Sequence, residues 1–286
     1  MNSISHGFNL QGKPLELGPW IFIQGKGGVG KTTLARALAH TLAQKGSKKI
    51  LLVLNREPYQ TDTKHTEVVF QTDTAFEEYA TLKLKSKTLA HVLCHNDLMK
   101  YLLQAAPGIS SMVYLGYQWH ALSSYDHVIV DFPSTGHGLS TLESVFSWGA
   151  LFTSGLMKDD IEKMKQTLLD PESCTHLLVS LAEELPLQET LDLKAQLLKR
   201  IPNARSTVLI NKCWPRIKAH DVHPEDEAMN FWKRKLESED RMLAAYSEPF
   251  LTLPFLPQFA NDPIHLSKHL SDLCLSQLVV HTGGVR

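Results

Sequence analysis

A doubly wound α/β fold on a mostly parallel sheet, with a helical insert subdomain, is the class this sequence predicts. Three observations carry the prediction. Strand-like and helix-like segments alternate along the chain, as a parallel sheet with crossover helices requires. The continuous apolar runs WIFIQ (20–24) and ILLVL (50–54) suit strands buried on both faces. A glycine-rich turn joins the first run to a segment of helical periodicity.

The elements follow in order. Residues 1–18 are expected to form a flexible arm and 19–286 a single domain. After the strand at 20–24, Leu34, Ala37, Leu38, Thr41 and Leu42 recur at helical spacing, which predicts a helix from about 31 to 45 with Gly46 as its stop. Strand 50–54 comes next, then a short strand at 67–71, then Asp73 as the cap of a helix from about Ala75. Residues 75–122 read as helical and irregular, with breaks at 95–97 and 107–108. Strands are expected at 126–131, 175–180, 206–210 and 249–253. Helices are expected at 139–149, 158–169, 186–200, 224–246 and 262–280. The chain shows no internal repeat and no low-complexity segment.

Composition narrows the classes of function. The 286 residues include 29 Lys plus Arg and 30 Asp plus Glu, a net charge of −1. Nucleic-acid binding needs an excess of cations and is disfavoured. A hydrophobic share of 43% and a charged share of 21% are ordinary for a globular protein. The N-terminus lacks a basic start followed by an apolar stretch, so no secretory signal is expected. The longest uncharged run, between Lys100 and Asp126, is broken by glycine, proline and polar residues, so no stable membrane insertion is expected. The four cysteines are scattered without a CxxC pair, which disfavours a local zinc site and fits reduced thiols in a cytoplasmic protein. His220, Asp221 and His223 read as a solvated loop rather than a metal site.

The segment GKGGVGKTT, 25–33, directly follows a strand and opens a helix, the context of a phosphate-binding loop. Glycines at 25, 27, 28 and 30 let backbone N–H groups turn inward around phosphate oxygens, where side chains would clash. Gly27, Gly28, Val29 and Gly30 are the expected cradle, and the helix N-terminus adds partial positive charge. Lys31 can reach the β- and γ-phosphates, Thr32 can bind Mg2+, and Thr33 can contact the α-phosphate. A second string, DFPSTGHG (131–138), follows the apolar strand. A carboxylate at such a strand end, Asp131, can hold the water shell of Mg2+.

The loop has the form xKGGxGK[ST], with a second lysine, Lys26, at its start. It resembles the deviant Walker A motif of the P-loop NTPase class that includes the chromosome-partitioning and cell-division-site ATPases, nitrogenase iron protein and the arsenical pump-driving ATPase. The resemblance implies that Lys26 reaches across a dimer to the nucleotide of the opposite subunit; the alternative is a solvated surface lysine. DFPSTGHG resembles the D-x-[AP]-P-T-G-H signature of the arsenical pump and tail-anchored-protein targeting ATPases. This implies that Asp131 is the Mg-linked acid and that Pro133 to His137 form a switch sensing the γ-phosphate. EEYATLKL (77–84), VYLGYQWHAL (113–122), SGLMKDD (154–160) and LAEELPLQET (181–190) resemble a bacterial branch of short, single-domain anion-transporting-ATPase-like proteins, often encoded as adjacent pairs. The similarity runs over roughly residues 20–260. It implies ATP and Mg2+ as ligands, Asn211 as a contact to the purine amino group, and Pro254 and Phe255 on the adenine face. The alternative for these last three is an ordinary strand terminus.

The sequence departs from the family at the first switch. Relatives place an aspartate just after the second strand to orient the attacking water. The string here is LNREPYQ, with Asn55 in that place and Glu57 two residues on. A neutral amide can position water but cannot accept its proton, so turnover is expected to be slow or partner-dependent while nucleotide binding persists. The cysteine pattern also departs, which disfavours arsenite transport.

The resemblance implies a helical insert at 75–122 and 144–170, the part that binds a client helix in the targeting ATPase. Met99, Met112, Met157 and Met164 fall there with Tyr101, Tyr114, Tyr117, Trp119, Phe146, Trp148 and Phe152. They suit either an adaptable client surface or the insert's own core. The expected function is a nucleotide-switch ATPase acting as a homodimer, or as a heterodimer with a paralogous ATPase, on a protein client. The alternative is a weakly active scaffold subunit beside a catalytic paralogue.

Overall fold

The computed structural model describes residues 15–44, 48–54, 65–69, 72–97, 108–134, 136–151, 156–214, 227–246, 250–256 and 278–280, with residues 265 and 269. In chain order the elements are β1 (Leu15–Leu17), β2 (Trp20–Gly25), α1 (Lys31–Gln44), β3 (Ile50–Leu54), β4 (Thr66–Val69), α2 (Thr72–Leu84), α3 (Lys87–Cys94) and α4 (Ile109–Ala121). They continue as β5 (His127–Asp131), α5 (His137–Leu151), α6 (Leu156–Leu169), β6 (Cys174–Leu181), α7 (Glu184–Arg200), β7 (Ser206–Cys213), α8 (Glu227–Ala245), β8 (Phe250–Pro254) and β9 (Leu278–Val280).

Seven strands form one sheet in the order β4-β3-β5-β2-β6-β7-β8, and every neighbouring pair is parallel. β2 is central because its run Trp20 to Ile23 is fully apolar and each of these side chains is fully buried. Ile21 and Ile23 face the α1 side, where Leu34, Leu38 and Leu42 pack on them. Trp20 and Phe22 face α4, α5, α6 and α7, meeting Leu115, Leu142, Leu168 and Leu197. Each such buried leucine contributes roughly 1.5–3 kcal/mol relative to an exposed one. After β2 the chain moves toward β3 and β4, returns at β5, and then leaves on the other side through β6, β7 and β8. Connections therefore diverge above β2 and β6, the kind of crevice where open α/β sheets bind ligands.

Several polar side chains inside this core are paired. Arg36 of α1 and His65 meet Glu67 at 3.5 and 3.0 Å, which ties edge strand β4 to α1. Asp160 of α6 accepts a hydrogen bond from Tyr79 Oη at 3.0 Å and an ion pair from Lys83, joining α6 to α2. Trp20 Nε1 donates to Gln118 Oε1 of α4 at 3.3 Å. Two buried histidines are held neutral. Burial lowers His176 to a pKa of about 3, and burial with the nearby Lys48 charge lowers His127 to about 4. Unfolded, each titrates near 6.5. The unfolded chain therefore binds more protons between these limits, and stability falls as pH drops from about 6.5 toward 4, by roughly 1.4 kcal/mol per pH unit per histidine. The urea midpoint is expected to be lower at pH 5 than at pH 7, with a smaller difference in His176→Phe. Equal midpoints at the two pH values in the wild type would count against neutral imidazoles.

Several expectations need correction. Asp73 does not cap a helix from Ala75, because α2 already begins at Thr72. The segment at 262–280 is not one helix: its last residues form β9, which pairs in parallel with β1. Residues 1–14 of the expected arm lie outside the described residues, as do Gly46 and the cluster His220, Asp221 and His223. Leu17 at the arm's end is fully buried, and the Gly18 backbone is held between Thr175 and His127. In the insert, Met112, Tyr114 and Met164 are buried, and Tyr117, Trp119, Phe146 and Trp148 pack partly against the same core. These aromatic and methionine side chains thus serve the core. Met99, Tyr101 and Phe152, and the side chain of Met157, lie outside the described residues.

Candidate functional site

The strand ends of the central sheet build one site. β2 ends at Gly25, and the loop to α1 carries Lys26 to Gly30. Gly28 and Gly30 have φ of 82° and 97°, values only glycine adopts without strain. No heavy atom lies within 4 Å of a Cβ built on Gly28, so the loop surrounds open space there. Lys31, the first residue of α1, is buried, and its Nζ donates to the carbonyls of Gly25 and Lys26, both at 2.9 Å. The ammonium is thus folded into the loop, over the space where phosphate oxygens can sit.

Thr32 Oγ1 donates to Asp131 Oδ2 at 2.5 Å. Asp131 ends β5 beside β2 in register with Ile23, so the sheet itself brings hydroxyl and carboxylate together across 99 positions of sequence. Two hard oxygen donors at the mouth of a phosphate loop suit Mg2+. Thr33 sits one residue further on and is half-buried. Tyr114 packs behind this corner. Burial, with the Asp131 charge, pushes its phenol well up, so it stays protonated.

β7 supplies a clamp. A register shift between Ile210 and Cys213 bulges the strand, and Lys212 takes φ 57°. The bulge aims two consecutive side chains at the loop. Asn211 Nδ2 donates to Val29 O at 2.7 Å, and Lys212 Nζ donates to Gly28 O at 3.0 Å. A Cβ on Gly30 would stand 2.3 Å from Asn211 Nδ2, so glycine there admits the clamp. Lys212 is a site residue that sequence reasoning missed; only its place beside Asn211 signalled it. Phe255 N donates to Cys213 O at 2.7 Å, which sets Pro254 and Phe255 next to the strand end, with the Phe255 ring 5.3 Å from Trp214.

Lys26 has a partner in its own chain. Its Nζ meets Glu189 Oε1 of α7 at 2.7 Å, with both side chains over a third exposed. The pair bridges the crevice above β2 and β6. Glu189 was likewise missed as a site residue, although the string LAEELPLQET contains it. Gly136 has φ 103°, and His137 opens α5 with its side chain exposed. Asn55 and Glu57 lie outside the described residues, in the segment directly after β3.

A parallel sheet with a glycine loop, a buried lysine and a Thr–Asp corner at its central strand end defines a P-loop ATPase. The comparisons agree. Residues 19–156 match the family model described as anion-transporting ATPase. ATPase BagA of Mycobacterium tuberculosis is 28% identical over 234 residues, which span 72% of this chain and 67% of that protein. A candidate arsenical pump-driving ATPase of Aquifex aeolicus is 26% identical over 284 residues, 81% of this chain and 89% of the relative. ATPase GET3A of Arabidopsis thaliana is 27% identical over 224 residues, 63% of each chain. Over residues 19–156 the chain is thus similar to the anion-transporting ATPase family. Among the described residues no helix is long and apolar enough to cross a membrane.

Proposed function

We propose that this chain is an ATP-driven switch, Mg2+-dependent and slow on its own, that works as a dimer on a protein client. The observation that carries it is Lys31, buried and turned into a glycine loop whose neighbouring corner joins Thr32 to Asp131 at 2.5 Å. In this reading Gly27, Gly28, Val29 and Gly30 cradle the phosphates, Lys31 neutralises charge on the β- and γ-oxygens, and Thr33 meets the α-phosphate. Thr32 and Asp131 are the residues that would hold Mg2+, which would supply positive charge to neutralise the phosphates. Asn211, Pro254 and Phe255 flank the base, with Lys212 and Asn211 bracing the loop that receives it. Lys26 leaves Glu189 to meet the nucleotide of the opposite subunit. Leu84, Leu89 and Val92, exposed on α2 and α3, offer the insert's apolar contact to a client.

Asn55 is assigned the role of placing the attacking water without accepting its proton, and Glu57 is the nearest carboxylate in sequence. Phosphoryl transfer depends chiefly on positioning and charge stabilisation, so the amide slows turnover and spares binding. The test measures phosphate release and oligomeric state, with and without Mg-ATP, for the wild type, Lys26→Ala and Asn55→Asp. The expectation is a dimer formed on ATP that Lys26→Ala weakens, and a turnover that Asn55→Asp raises about 10-fold or more. A wild type that stays monomeric with ATP overturns the dimeric switch. A turnover unmoved by Asn55→Asp overturns the slow-hydrolysis assignment.

A further inference from the structure

We propose that Glu77, His91 and His95 form a surface site for a divalent transition-metal ion, zinc being the ion it suits, that ties α2 to α3. His91 and His95 stand four residues apart, one helical turn, so their imidazoles share a face. The two ring centroids are 4.0 Å apart. Glu77 arrives from α2, and one ligand atom from each of the three residues lies within 4.8 Å of the other two. Zinc bonds to nitrogen at about 2.0–2.1 Å place tetrahedral ligand atoms roughly 3.3 Å from one another. Closing that gap takes rotamer changes open to exposed side chains, and His91 is 61% exposed.

The short contacts show which ring nitrogens face an ion. His95 Nδ1 lies 3.0 Å from the His91 carbonyl, which can only accept, so this nitrogen carries the proton. Glu77 Oε1 lies 2.9 Å from His91 Nδ1, close to the spacing of two ligand atoms on one zinc ion. His91 thus offers the nitrogen beside Glu77, and His95 in this tautomer offers Nε2. The His91 carbonyl on His95 Nδ1–H is the kind of outer acceptor that supports a metal-binding imidazole. Imidazole nitrogens with one carboxylate favour zinc and its neighbours over magnesium or calcium. Cys94, the thiol of α3, packs with Ala80 and Ala90. None of the loop, strand-end or clamp residues of the nucleotide site belongs to this cluster.

The test uses the full chain stripped with a chelator and titrated with Zn2+ against a chromophoric competitor. The expected result is one Zn2+ per chain, lost in His91→Ala/His95→Ala and weakened about 10-fold to 100-fold in Glu77→Ala. Single His91→Gln and His95→Gln changes, which keep the side-chain polarity, are also expected to weaken binding. Hydrogen exchange over residues 77–95 is expected to slow with Zn2+ in the wild type and not in the double variant. Absence of Zn2+ binding overturns the proposal. So does undiminished binding by the double variant, because the ion would then be held by others of the 14 histidines.

Discussion

Lys31→Ala is expected to leave a folded protein that turns over ATP roughly 10³-fold more slowly and binds it weakly. The ammonium of Lys31 lies inside the loop, 2.9 Å from the carbonyls of Gly25 and Lys26. Those carbonyls hold it by ion–dipole attraction, and charged phosphate oxygens can take their place. In the transition state the γ-phosphoryl oxygens carry spread negative charge, and a positioned cation in a site screened from water is worth about 4 kcal/mol, or three decades of rate. Lys31→Arg is not expected to rescue, because a planar fork needs more room than a four-carbon stem ending in a point charge. Stability should change little, since the substitution also relieves the desolvation of a buried cation. Phosphate release and fluorescent-nucleotide titration check the first effect, and thermal unfolding checks the second. A Lys31→Ala protein within threefold of wild-type turnover would falsify the assignment of this loop.

The elements that a short window can encode were legible. The run Trp20 to Ile23 announces a strand buried on both faces, and the alternation of such runs with helical spacing announces the parallel sheet that is found. The loop at 25–33 was legible because phosphate binding constrains consecutive residues. Partners supplied by distant chain were not. Glu189 reaches Lys26 across 163 positions, and nothing in α7 distinguishes it from the other acids of that helix. Lys212 needed a strand bulge and a left-handed backbone, which depend on how β7 pairs with β8. β1 and β9 join segments from opposite ends of the chain, so neither three-residue run carries a strand signal by itself. The pair His91 and His95 has helical spacing, but Glu77 joins it only because α2 packs on α3. The insert shows the same limit in reverse. Its methionines and aromatics suited a client surface or a core equally well, and only packing against the sheet separates these.

Gly25→Ala is expected to be the most damaging single methyl addition in the loop. Gly25 ends β2 opposite Val179 of β6, with φ 148°, a conformation L side chains rarely adopt. A Cβ there would stand 2.1 Å from the Val179 carbonyl oxygen and 3.1 Å from its carbon. Both atoms are backbone of a neighbouring core strand, so no rotamer change can relieve the contact. Two costs therefore add: about 1–3 kcal/mol of backbone strain and about 1–3 kcal/mol or more from forcing β2 and β6 apart. Domains of this kind have a total stability of roughly 5–15 kcal/mol, and each kcal/mol lowers Tm by about 2–4 °C. A fall of roughly 5–20 °C in Tm is the expected outcome. Gly28→Ala is the control that separates strain from clash. Gly28 also has positive φ, 82°, but its added Cβ meets nothing within 4 Å. It should lose only about 1 kcal/mol, a shift of a few degrees. Because the Gly25 carbonyl is one of the two that hold Lys31, any Gly25→Ala protein that folds should also bind nucleotide poorly, since a displaced carbonyl misplaces the ammonium. Equal melting temperatures for the two variants would show that the sheet end yields more easily than its register with β6 implies.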